Sequence, residues 1–66
     1  MNMYTQNQIR IGSKAMTDSK LGGWFTLECR AIFPDHSFWV NLTPGFTGRN
    51  VFFFHDELAD EVVLIN

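Results

Sequence analysis

The chain has 66 residues, a formal net charge of −2 and a single cysteine. That length makes one domain, 1–66, small enough that it must pack densely to hold together. The lone Cys29 excludes an intrachain disulfide and the usual Cys-based zinc site. The five basic residues Arg10, Lys14, Lys20, Arg30 and Arg49 are scattered, so no basic run tracks a phosphate backbone. Seven Phe, two Trp and one Tyr supply the apolar area that a folded core needs.

Residues 3–11 alternate weakly, with Met3, Thr5, Asn7, Ile9 and Ile11 on one face. This predicts a first strand. Gly12 to Gly23 is rich in Gly, Ser, Lys and Asp and reads as a long loop, with room for one helical turn near Ala15-Met16. Residues 24–33 are the clearest strand. Phe25, Leu27, Cys29, Ala31 and Phe33 make a continuous apolar face.

Pro34-Asp35-His36-Ser37 is a turn, and residues 38–43 form the next strand. A four-residue turn pairs Phe33 with Phe38, Ala31 with Val40 and Cys29 with Leu42. That register leaves Trp24, Ile32 and Trp39 on the outer face. Pro44-Gly45 opens another turn, and residues 51–55 form a Phe-rich strand. Side chains alternate along a strand, so Phe52-Phe53-Phe54 places aromatic surface on both faces. Asp56 to Asp60 suits a single helical turn with acidic residues at its start. Val62-Val63-Leu64-Ile65 is β-branched and reads as a last short strand, with a helix over 56–65 as the alternative.

The expected fold is all-β: a small five-stranded barrel or bent antiparallel meander, with one short helical turn before the last strand. This order of elements resembles the SH3-like small barrel, in which a long loop joins the first two strands and a short helical turn joins the last two. The resemblance covers most of the chain as an order of elements. The Ala-Leu-Tyr-Asp-Tyr-like and Pro-Ser-Asn-Tyr-like segments of proline-peptide-binding members are missing, so that activity does not carry over.

No catalytic motif stands out. Asp35-His36 and His55-Asp56 each place an imidazole next to a carboxylate, yet no nucleophile has a defining context. Cys29 lies on the expected core face, where a thiol is inert. His36, His55, Asp35 and Asp56 lack the spacing of a metal motif, and the glycines form no phosphate cradle. No enzyme, metal or cofactor is expected. No apolar run approaches the roughly 18 residues of a membrane span, and the polar start of the chain lacks the regions of a signal peptide. The cytoplasm is the expected compartment.

The outward aromatics carry the functional expectation, since large exposed apolar patches mark interaction sites. Trp24, Trp39, Phe53 and Ile32 are the expected contact residues, although the pair Phe52 and Phe54 could face outward in place of Phe53. Asp56, Glu57, Asp60 and Glu61 form an acidic rim that steers a basic partner. The expected function is non-enzymatic docking on a larger protein, as an inhibitor or adaptor, with self-association through the same face as an associated form. Small phage-encoded inhibitors, anti-CRISPR proteins among them, are similar in size and charge, with no shared motif. A single-stranded nucleic-acid-binding barrel is the alternative, with Tyr4, Trp24, Trp39 and Phe46 stacking on bases. The negative charge and scattered cations count against it.

Overall fold

A computed structural model describes residues 9–18, 23–46 and 49–65. It contains β1 (Lys14–Asp18), β2 (Trp24–Ile32), β3 (His36–Asn41), β4 (Asn50–Phe54), α1 (His55–Glu61) and β5 (Val62–Leu64). All pairings are antiparallel, in the order β4-β3-β2-β1-β5. The first four strands form a meander, and α1 carries the chain from one sheet edge to the other, where β5 pairs with β1. A seven-residue helix spans only about 10 Å. The sheet therefore curls until its two edges approach, although among the described residues no ladder closes it into a barrel.

The fold is all-β with a short helix before the last strand, as expected, but its first strand is elsewhere. Ile9 to Ile11 is not strand, and residues 3–8 lie outside the described residues. β1 sits inside the stretch read as a loop. A tight turn precedes it, closed by Ser13 N donating to Arg10 O at 2.9 Å. Gly12 occupies its third position at φ 93°, a conformation that glycine adopts without steric cost. No helical turn forms at Ala15-Met16; Ala15 pairs with Leu27 and Met16 with Thr26.

The β2–β3 register also departs from the expected one. Phe33 N donates to His36 O at 2.8 Å, so the turn is tight around Pro34-Asp35. Ala31 then pairs with Phe38 and Ile32 with Ser37. Relative to the expected pairing this is a two-residue shift, which preserves faces. A bulge between Cys29 and Ala31 then drops Arg30 from the ladder, and Cys29 pairs with Trp39. One unpaired residue exchanges the faces of β3 relative to the rest of β2. Ser37, Trp39 and Asn41 go inward, while the register sends Phe38 and Val40 outward. A plain one-residue slip would bury Glu28 or Arg30. The bulge avoids that by leaving Arg30 exposed and keeping Leu27 and Cys29 inside.

The core lies on the concave face. Ala15, Leu27, Cys29 and Trp39 form its centre, with Ile9, Leu58 of α1 and Val62 of β5 buried against them. Phe25, Val51, Phe53 and Leu64 pack around that set. Two buried polar side chains are accommodated by hydrogen bonds. Trp39 Nε1 donates to Ser37 Oγ at 2.7 Å, and Asn41 Oδ1 accepts from Thr43 N at 2.8 Å.

Candidate functional site

The convex face gathers a set of rings at the β3–β4 end. His36 opens β3 and pairs with Phe54; Phe38 pairs with Phe52. The Phe33 ring stacks on the His36 imidazole at 4.7 Å between centroids. Phe52 meets His36 edge-on at 5.8 Å, and Phe54 does so at 6.3 Å. Phe52 and Phe54 lie 5.6 Å apart in an edge-to-face contact. These are favoured aromatic geometries. The rings nevertheless remain open to solvent, with Phe33 at 44%, Phe52 at 52% and Phe54 at 43% exposure.

Backbone and side-chain bonds fasten this end of the sheet. His55 Nε2 donates to Phe33 O at 2.8 Å, and His55 N donates to Asp35 O at 3.0 Å. The start of α1 is thus tied to the β2–β3 turn. The Phe33 carbonyl can only accept, so Nε2 is the donor, and the buried Nδ1 has no partner among the described residues. Asp35 Oδ1 lies 2.6 Å from His36 Nδ1. The hydrogen bond from His36 holds the exposed Asp35 carboxyl below the ordinary carboxylate range. Asp35 and His36 therefore do meet, as part of a surface turn. Ser37, the adjacent hydroxyl, is buried and engaged by the Trp39 indole, which leaves it unsuited to nucleophilic work.

A second apolar area lies toward the opposite sheet edge, where Trp24, Met16 and Val63 line a shallow depression. Trp24 is 53% exposed. Glu28 stands between the two areas on β2. Its carboxylate meets Arg30 Nε at 2.8 Å and Lys14 Nζ at 3.6 Å.

The expected contact residues are not brought together. Trp24 and Ile32 are exposed as expected, but Ile32 shares its register position with the inward Ser37. Trp39, expected outside, is fully buried beside Cys29. Phe53 turns inward against the core, and the pair Phe52 and Phe54 takes the outer side. Phe33, expected in the core, is exposed. The face exchange at Arg30 produces these reversals together. Asp56, Glu57, Asp60 and Glu61 are all exposed on α1, and Leu58 faces the core. Asp56 and Glu57 occupy the first helical turn, directly after Phe54 and His55.

Cys29 is buried, and desolvation raises its thiol pKa above the ordinary value. Among the described residues no three His, Cys, Asp or Glu side chains cluster as a metal site, and no helix is long and apolar enough to cross a membrane.

No family model matches the chain, and neither the curated proteins nor the solved structures contain a significant match to it.

Proposed function

We propose that this chain is a non-enzymatic binding module that docks on a larger protein through the convex aromatic patch of Phe33, His36, Phe52 and Phe54. One observation carries the reading: the His36 ring meets all three phenylalanine rings, yet each of the three is more than two-fifths exposed. In so small a domain, that apolar area is better spent in a core unless a partner covers it. Asp35, Asp56 and Glu57 flank the patch in the chain and are exposed. A partner with an apolar socket and basic residues around it is the chemistry that fits. An inhibitor or adaptor role, acting by occupying a partner's surface, suits a domain of this kind. Trp24 belongs to a separate area and is not part of the primary contact.

The test compares capture of partner proteins by the wild type with capture by Phe52→Glu and Phe54→Glu. Both positions are exposed, so the fold should persist by circular dichroism. Loss of one specific, salt-sensitive partner supports the reading. Retention of every partner by both variants overturns it. Light scattering gives the mass in solution and shows whether a second copy covers the patch instead. Tight, salt-sensitive capture of single-stranded oligonucleotides would favour the nucleic-acid reading, which the burial of Trp39 weakens.

A further inference from the structure

The concave face holds a second feature that the docking patch does not use. A half-enclosed cavity of ≈ 180 Å³ lies at one end of the curled sheet, lined by Thr17, Phe25, Leu27, Asn41, Arg49 and Val51 together with Asn50. The register explains why it is there. Leu27 pairs with Asn41 and Thr17 with Phe25, so these four side chains share the concave side at one end of the sheet. Val51, paired with Trp39, closes the wall from β4. Mouths of curled or barrel-like sheets are common places for small ligands.

The lining divides into an apolar floor and a polar margin. Phe25, Leu27 and Val51 form the floor. Asn41 is 4% exposed, and its Oδ1 is committed to Thr43 N at 2.8 Å. That bond fixes the amide orientation and leaves Nδ2 as a donor with no partner among the described residues. Among the described residues of the lining, Arg49 brings the only charge. Its guanidinium lies 5.8 Å from the centroid of Phe46, whose ring in turn lies 4.7 Å from Phe25. The Phe46 ring, packed on Phe25, thus sits beside the Arg49 cation. Arg49 makes no ion pair among the described residues. No carboxylate lies among the described residues of the lining, so there an anion would meet donors and apolar surface.

We propose that this cavity binds a small monocarboxylate with a compact apolar body, of the size of one aromatic ring. Its ring would lie on Phe25, Leu27 and Val51, and its carboxylate would accept from Asn41 Nδ2 and Arg49. The volume fits: an apolar protein cavity of about 150 Å³ takes one benzene ring. The donor pair selects charge, because carboxylate bonds to a guanidinium are roughly twice as strong as neutral ones. This site is independent of the convex patch and stands or falls without it.

The experiment titrates the full chain with benzoate and phenylacetate, with benzamide and acetate as controls, and follows backbone and side-chain signals by heteronuclear NMR. Saturable shifts should centre on the Asn41 side-chain amide, Arg49 and the methyl groups of Leu27 and Val51. Benzamide lacks the charge and acetate lacks the ring, so each should bind more weakly. Arg49→Gln should weaken aromatic-carboxylate binding roughly tenfold, the scale expected for losing a charged hydrogen bond. Asn41→Asp keeps the acceptor for Thr43 N but places a negative charge in the cavity, and it should abolish binding. Arg49 is exposed, so its variant keeps the test valid even if Asn41→Asp fails to fold. Absence of saturable shifts into the millimolar range overturns the proposal. So does equal binding of benzamide, or binding that Arg49→Gln leaves unchanged.

Discussion

Trp39 Nε1 donates to Ser37 Oγ at 2.7 Å, and both side chains are fully buried. The two residues lie on the same face of β3, so the bond seals an indole and a hydroxyl into one satisfied pair. Trp39→Ala should cost about 3–5 kcal/mol, the range for deleting a large buried aromatic. In so small a domain that loss should leave the chain largely unfolded by circular dichroism. Ser37→Ala strips the indole N–H of its acceptor and should cost about 1–3 kcal/mol. Urea denaturation of the two variants checks both figures.

Trp24 should behave in the opposite way. It is 53% exposed on the convex face. Trp24→Ala should shift stability by no more than about 0.5 kcal/mol, as exposed substitutions do. Fluorescence quenching separates the two tryptophans without an unfolding experiment. In the Trp24→Phe variant the remaining emission should be blue-shifted and resist iodide. In Trp39→Phe, if it folds, the emission should be red-shifted and quench readily.

Cys29 supplies a pH and reactivity prediction. Burial raises its thiol pKa in the folded state. The folded chain therefore holds that proton more tightly than the unfolded chain does. The resulting stability is fully present below the unfolded thiol pKa, near 8.5, and is lost as pH rises through the folded value. Cys29→Ser should flatten this alkaline decline, and the wild-type thiol should react with aromatic disulfide reagents only as fast as the protein opens.

Much of the architecture is legible in the sequence, and the reasons can be traced residue by residue. β2 is visible because Phe25, Leu27 and Cys29 alternate with polar residues, and all three do face the core. The α1–β5 segment is legible because Asp56 and Glu57 favour a helix start, whereas Val62-Val63-Leu64 favours strand. β1 is hidden because Lys14-Ala15-Met16-Thr17-Asp18 is short and follows directly on the Gly12 turn, and its pairing with both β2 and β5 outweighs its composition.

The convex patch is hidden for a more specific reason. Alternation along β3 favours Phe38, Val40 and Leu42 inside, against Ser37, Trp39 and Asn41. The structure chooses the second set because Trp39 brings more volume and the polar pair finds hydrogen bonds. The bulge at Arg30 that permits this has no local signature such as glycine. The one legible hint is the Phe triplet. It requires aromatics on both faces of β4, and it turns Phe52 and Phe54 outward with Phe53 inward.

The convex rings also predict a local effect of His36. Its imidazole contacts Phe33, Phe52 and Phe54. His36→Ala should leave the fold in place, at a cost of about 0.5–1.5 kcal/mol from lost ring contacts. It should reorient Phe33, seen as changed ring-proton shifts of Phe33, Phe52 and Phe54, and it should weaken partner capture.

Site-specific photo-crosslinking tests the docking claim most directly. A photoreactive phenylalanine analogue placed at Phe52 or at Phe54 should cross-link the chain to one partner protein. The same analogue at Pro44, exposed in the β3–β4 connection, should not. Cross-links formed from Pro44 but from neither Phe52 nor Phe54 would contradict the account.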